Sequence, residues 1–216
     1  MKKLNYTVLI SLCALIISCG DSNKTNNDVV STTIKTEQSS ASEDKNWEYD
    51  HSSTKVKWTG FKLASKAGVS GGFDSINVTG FAPSSDLATS MTGVTFEIHT
   101  QSINSNDSVR DWKLANILFG TMNTPIISGE IKSINEKEES AVISVTMGTA
   151  SVDVPMSFSF DNDFVVKLSG AIDIPTWSEN ANNGFLAISE ACAEKHENKT
   201  WPDVDIKVYT KLRQAE

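Results

Sequence analysis

Apolar and polar residues alternate with a period of two over most of this 216-residue chain from about residue 47 onward. The clearest run keeps strict alternation over five positions: Val152, Val154, Met156, Phe158 and Phe160. A period of two places successive side chains on opposite faces of a β-strand, whereas a helix needs a period near 3.6. Because little of the helical period is present, the sequence predicts an all-β domain.

Eight segments carry this alternation and are the predicted strands: 47–62, 73–81, 94–99, 126–134, 141–147, 152–160, 166–174 and 203–212. The charged stretch 135–139 predicts a hairpin turn between the fourth and fifth strands. Eight half-apolar strands favour a closed antiparallel barrel in which the first and last strands pair and no edge is left exposed. A sandwich of two four-stranded sheets satisfies the same pattern and is the alternative.

Two segments break the alternation and predict short helices. Residues 106–120 begin with capping and acidic residues and end at a glycine, and we expect this helix to close one end of the barrel. Residues 183–196 form the second predicted helix, with Asn182 or Asn183 as its cap. Plausible positions at the rim of such a barrel are Trp112, Trp177 and the region of Lys62 and Lys66.

The first residues predict export. Lys2 and Lys3 precede an uncharged, largely apolar stretch that is too short for a membrane-spanning helix. The segment 16–19 resembles the bacterial lipobox, which implies that Cys19 is acylated and becomes the first residue of the mature chain. The alternative is a plain secretory signal with an incidental cysteine. The prediction is a lipoprotein anchored to a bacterial membrane by acyl chains and facing the periplasm or the cell surface.

The predicted organisation is therefore a signal peptide at 1–18, a lipidated disordered tether at 19–46 and one folded domain at 47–216. Removing Lys2 and Lys3 with the signal changes the formal charge from -8 to -10. Such acidity argues against nucleic-acid binding, which needs clustered Lys and Arg. With Cys19 acylated and Cys13 removed, Cys192 is the remaining thiol, so the fold depends on its apolar core.

Several segments of the folded domain resemble the YceI-like family. Its opening is similar to residues 50–62 and 66–73, its central part to 102–103, 110–114 and 118–120, and the closing strand of one branch to 200–206. The resemblance implies an eight-stranded, lipocalin-like barrel without catalytic activity. It also implies a tunnel that holds an isoprenoid chain, such as a polyprenyl lipid or an isoprenoid quinone. No other cofactor is expected.

Under this resemblance, the tunnel lining would come from the inward positions of the strands: Trp58, Val94, Phe96, Ile98, Ile143, Val145, Met156, Phe158, Val166, Leu168, Ile172, Ile206 and Val208. The alternation by itself favours a packed core at any one of these positions. Two functions therefore stay open. One is a lipid-binding protein at the cell envelope; the other is an envelope-tethered structural or stress-related protein with a filled barrel and no ligand. The sequence identifies no protein partner.

Catalytic and metal sites are not predicted. Residues 68–72 read G-x-S-x-G, but a strand follows instead of the helix that a nucleophile elbow needs, so a glycine-rich hairpin is favoured. Cys192 and His196 are four residues apart and could share a metal ion on one helical face. Two ligands do not make a site, and the favoured interpretation is a buried thiol beside a surface histidine.

Overall fold

The computed structural model describes residues 45–216. The predicted signal peptide, Cys19 and all but the last two residues of the predicted tether lie outside this range, so those assignments stay predictions. Within residues 45–216, none of the helices combines the length and the apolar character that crossing a membrane would need.

In the described part of the chain, eleven strands form one antiparallel sheet. They are β1 (Trp47–Tyr49), β2 (Lys55–Lys62), β3 (Ala67–Phe73), β4 (Ile76–Thr79), β5 (Thr95–His99), β6 (Ile103–Asn104), β7 (Ile126–Asn135), β8 (Ser140–Met147), β9 (Ala150–Phe160), β10 (Val165–Asp173) and β11 (Thr200–Gln214). The order within the sheet is β4-β5-β7-β8-β9-β10-β11-β2-β3-β6, and β1 also pairs with β11. The predicted hairpin of β7 and β8 is confirmed.

The sheet closes on itself because β3 pairs with β2 on one side and with β6 on the other. Along the chain, β4 continues the path of β3, and β6 continues the path of β5. Strands β4 and β5 pair with each other. Strands β1 and β2 likewise share one path along β11. Eleven strands minus three such continuations give eight paths. The predicted lipocalin-like barrel is confirmed, the sandwich is excluded, and the strand count differs from eight because three paths are interrupted.

Two of the three interruptions have a local cause that alternation does not reveal. Between β1 and β2, the Asp50 carboxylate accepts hydrogen bonds from the backbone N–H and the hydroxyl of Ser52, at 3.0 and 2.7 Å, and so stabilises a turn. Between β5 and β6, residues 100–102 form a single 3₁₀ turn whose Thr100 hydroxyl donates to the Thr124 carbonyl at 2.9 Å.

The helices differ from the prediction in number and position. The predicted helix at 106–120 is confirmed as α2 (Ser108–Lys113), a π-helical turn (Leu114–Leu118) and α3 (Phe119–Thr121), with Asp107 as its cap. Helix α1 (Leu87–Met91) was not predicted.

The predicted bounds and cap of the last helix are wrong. Helix α4 runs from Glu179 to Ala191, and Ser178 caps it by accepting a hydrogen bond from the Ala181 N–H at 3.1 Å. A separate 3₁₀ turn (Glu194–His196) follows. The next two residues, Glu197 and Asn198, have positive φ angles, so this turn does not continue as a helix.

The barrel interior is packed at one end only. On the inner face of β11, Leu212 is 0% exposed, whereas Val204, Ile206 and Val208 are half-buried. Near Leu212 lies a group of large apolar side chains that we call the packed pole: Trp47, Phe160, Phe164 and Leu212. The Trp47 ring lies edge-on to the rings of Phe160 and Phe164, with centroids 5.1 and 5.3 Å apart. The other end is covered by α2, α3 and α4.

Candidate functional site

A cavity of about 470 Å³ occupies the barrel between the packed pole and the helices α2 and α4. Its volume lies within the range of roughly 300–1,000 Å³ that is usual for small-molecule sites. Inward-facing side chains from nearly all the strands form its wall, and most of them are aliphatic or aromatic. The cavity can therefore accept an apolar molecule along the barrel axis.

Twelve of the thirteen predicted lining residues lie on this cavity: Trp58, Val94, Phe96, Ile98, Ile143, Val145, Met156, Val166, Leu168, Ile172, Ile206 and Val208. Phe158 does not line it, although its side chain is buried. Alternation identified the correct face of β9 but not which inward side chains border open space. That these residues contact a ligand stays a prediction.

The interior is hollow and not merely loosely packed. Gly60 lines the cavity in the middle of the barrel wall, and a methyl group added to its α-carbon would meet no atom within 4 Å. The half-burial of Ile206 and Val208 has the same cause, since both side chains face inward from a strand that is paired on both sides. The filled-barrel expectation is therefore wrong for this part of the interior.

Hydroxyl groups close the inner end of the cavity. The Tyr49 hydroxyl lies 2.6 Å from the Thr54 hydroxyl, which in turn lies 2.6 Å from the hydroxyl of the buried Thr210. These groups satisfy one another, and no buried side-chain nitrogen or oxygen among residues 45–216 lacks a hydrogen-bond partner. The inner end does not require a polar group from a ligand.

The opposite end is the mouth of the cavity. We define the mouth by seven lining residues: Lys62, Asp107, Val109, Arg110, Lys113, Lys195 and His196. They come from β2, from α2 with its cap Asp107, and from the 3₁₀ turn after α4. They include the exposed members of the lining, namely Asp107, Val109 and Lys195. The inner end, by contrast, is formed by buried or half-buried side chains.

The mouth carries an excess of positive charge. Asp107 pairs with Arg110 at 3.0 Å, and the Lys113 ammonium donates to the Ala191 carbonyl at 2.6 Å. Five ion pairs form within residues 45–216, and none involves Lys62, Lys113 or Lys195. A cluster of unpaired cations contrasts with the formal charge of -8 for the whole chain.

His196 shows that these cations lie close together. Its Nδ1 atom is 2.8 Å from the Thr200 hydroxyl. Partial burial is the main cause that lowers the pKa of His196 below its ordinary value, and the positive charges of Lys62 and Lys113 lower it further.

The other predicted rim residues lie in different environments. Trp112 is exposed beside the mouth. Trp177 is buried and donates from Nε1 to the Ala150 carbonyl at 3.2 Å, so its predicted rim position is wrong. Lys66 does not line the cavity; its ammonium pairs with Asp203 at 2.7 Å and lies 5.1 Å from the centre of the Trp201 ring.

The predicted glycine-rich hairpin turn at 68–72 is wrong, because these residues lie within β3 and pair with β2. They also lack the strand-to-helix turn of a nucleophile elbow. Cys192 is half-buried at the cavity wall, and its sulfur lies 3.9 Å from the Lys113 ammonium. Over residues 45–216, the His, Cys, Asp and Glu side chains form no group of three or more that could hold a metal ion.

Sequence reasoning missed the cationic mouth as a unit. Lys62, Lys113 and Lys195 are far apart in the chain, and no motif connects them. The available signal was the prediction that the helix at 106–120 closes one end of the barrel, because it brings Arg110 and Lys113 to the cavity. Nothing in the sequence placed Lys195 there.

Comparisons with known proteins agree with this geometry. The family model described as "YceI-like domain" matches residues 47–211. A polyisoprenoid-binding domain from Saccharophagus degradans has the same fold, with a TM-score of 0.53 at 11% identity over 80% of this chain and 99% of that one. BcnA of Burkholderia cenocepacia gives a TM-score of 0.50 at 14% identity over 77% and 99% of the two chains. None of the curated protein sequences matches this chain.

Proposed function

Because the chain belongs to the YceI-like family, we propose that its barrel binds an isoprenoid chain in the hollow between the packed pole and the mouth. The observation that carries this proposal is the apolar cavity of about 470 Å³. A barrel of this strand number can be filled by its own side chains, and this one is not. The Saccharophagus degradans domain, named for polyisoprenoid binding, supports the ligand class only by analogy of fold.

Burial of apolar surface supplies the affinity. Each methylene equivalent withdrawn from water contributes about 0.8 kcal/mol, so affinity rises with the number of isoprene units that fit. The headgroup lies at the mouth, where the ammonium groups of Lys62 and Lys113 and the His196 ring offer hydrogen-bond donors or acceptors. A polyprenyl lipid or an isoprenoid quinone meets these requirements. The role is carriage or protection of the lipid, without catalysis.

The location proposed for this function is the bacterial cell envelope. It is supported by the charged and apolar run at the start of the chain and by the lipobox-like segment ending at Cys19. Acylation there would keep the barrel next to the membrane in which isoprenoid lipids reside.

Lipid extraction from variants of the exported protein tests the binding function. Val208 faces the cavity from β11, so Val208→Phe should fill part of the hollow and lower the amount of co-purified long-chain lipid at least several-fold. Tyr209→Phe is the matched control, because it places a phenyl ring one residue further along the same strand, on the outer face. The measurement is mass spectrometry of the solvent extract, normalised to protein.

Two results would contradict the proposal. Repeated recovery of wild-type protein without any apolar molecule would favour the structural or stress-related alternative. Equal lipid content in Val208→Phe, Tyr209→Phe and wild type would place the bound lipid outside the barrel.

A further inference from the structure

Two large apolar side chains are exposed on α2, next to the mouth. Val109 is 59% exposed and Trp112 is 60% exposed, and they lie three residues apart, so they occupy neighbouring positions on one side of the helix. Helix α2 buries none of its residues. An exposed tryptophan beside a cavity opening is unusual for a surface in contact only with water and indicates an interaction site.

Cations border this apolar pair. Lys113 follows Trp112 directly, and Lys62 and Lys195 lie at the same mouth without carboxylate partners among residues 45–216. The carboxylate nearest to them in the lining is Asp107, which already pairs with Arg110. Tryptophan flanked by Lys is the composition of protein surfaces that sit at the headgroup level of a bilayer.

We propose that α2 docks the mouth onto an anionic lipid surface, with Trp112 and Val109 inserted among the headgroups and the lysines paired with lipid phosphates. The occupant is a membrane and not a protein because the cavity opens beside Trp112, and an apolar cargo then passes between bilayer and barrel without crossing water. The transfer of cargo during docking rests on the proposed function, whereas the exposed residues and the charges are observed independently of it.

The position of the mouth relative to the start of the domain agrees with this arrangement. Trp47 pairs with Gln214 at one end of β11, whereas Thr200 at the other end lines the cavity next to the mouth. A strand of 15 residues spans at most roughly 50 Å. Cys19 precedes Trp47 by 47 − 19 = 28 residues, which reach up to about 90–100 Å when extended. An anchor at Cys19 therefore leaves enough chain for the mouth to face the same membrane.

Fluorescence quenching by lipids tests docking directly. The exported full-length mature chain is mixed with phosphatidylcholine vesicles, with or without phosphatidylglycerol, that carry a nitroxide on the acyl chain. The Trp112 signal is the difference between wild type and Trp112→Phe, which keeps an aromatic ring at the position. We expect strong quenching of this signal with phosphatidylglycerol and weaker quenching without it, because the lysines act through anionic headgroups.

Lipid transfer provides the second measurement. Trp112→Ser should slow the uptake of a fluorescent polyprenyl lipid from phosphatidylglycerol vesicles by about tenfold, since the aromatic side chain that inserts among the headgroups is lost. Leu186→Ser is the matched control, because Leu186 is 55% exposed on α4 and does not line the cavity. Lipid already bound should be retained equally by both variants.

Each outcome has a defined meaning. Trp112 emission that remains unquenched with phosphatidylglycerol vesicles overturns the proposal, even if transfer is slowed. An unquenched Trp112 in a protein that still carries lipid leaves the binding function intact. Quenching in a protein that never carries lipid supports docking and removes the carrier function.

Discussion

The packed pole and the hollow half of the barrel are built from the same alternating strands, yet their interiors differ. On β11, Leu212 is completely buried, and Ile206, six residues earlier on the same inner face, is half-buried against open space. Aromatic side chains from β1, β9 and the turn after β9 contact one another, and the Leu212 N–H donates to the Phe164 carbonyl at 2.9 Å. At the hollow half, aliphatic and aromatic side chains line an open space instead of filling it. Under the proposed function, the packed pole contributes mainly to stability and the hollow half to binding.

The largest expected difference between the packed pole and the hollow half is in the stability lost when three side-chain carbon atoms are removed at each. Leu212→Ala is expected to lower the free energy of unfolding by about 2–5 kcal/mol, because a fully buried leucine leaves a cavity. Ile206→Ala on the same strand, measured on lipid-free protein, should cost about 1 kcal/mol, since its side chain already borders space. Denaturant unfolding of both variants measures the difference. Equal losses would show that the interior at Ile206 is filled in solution.

Gly60 and Gly71, on adjacent strands, allow a second test with a smaller expected effect on stability. A methyl group at Gly71 would collide with the indole of Trp58 and lie 2.6 Å from the Asn104 carbonyl oxygen, so Gly71→Ala should destabilise the fold by about 1–3 kcal/mol. Gly60→Ala, on the adjacent strand, should change stability by less than about 0.5 kcal/mol because it points into the cavity. Thermal or denaturant unfolding gives both values. A large loss in Gly60→Ala would contradict the hollow.

The fold class, the closure of the sheet and most of the strands could be predicted from the sequence. The alternation of β7 to β11 identified which residues face inward, because a half-buried strand has no other stable pattern. It did not identify the breaks at Asp50 and Thr100, which depend on side-chain hydrogen bonds to the backbone. It also missed the short helix α1, whose five residues are too few to show a helical period.

The candidate site was predictable only in part, for a related reason. A period of two specifies a face and does not say which inward side chains border open space, so Phe158 was assigned to the lining although its buried side chain does not border the cavity. The cations of the mouth come from three distant segments. Their proximity results from the closure of the sheet and the return of the chain after α4, neither of which leaves a local signal in the sequence.

The smallest expected effect concerns the electrostatics of the mouth. Burial, followed by the charges of Lys62 and Lys113, lowers the pKa of His196, so the folded state binds fewer protons there than the unfolded state. Stability should therefore fall as pH decreases from about 6.5 to the lower pKa of the folded state. Lys62→Gln removes one positive charge and should raise the pKa of His196 without restoring its ordinary value, because burial is the larger cause.

Titration of the His196 ring by NMR measures this change. Lys57→Gln is the matched control, since Lys57 lies on the same strand but faces outward and does not line the cavity. If the two variants shift the pKa of His196 equally, the effect comes from net charge and not from a cluster at the mouth. A shift in Lys62→Gln alone would show that the side chains of Lys62 on β2 and His196 after α4 lie close together at the mouth. The mouth would then differ from the packed pole in being organised by charged groups instead of aromatic contacts.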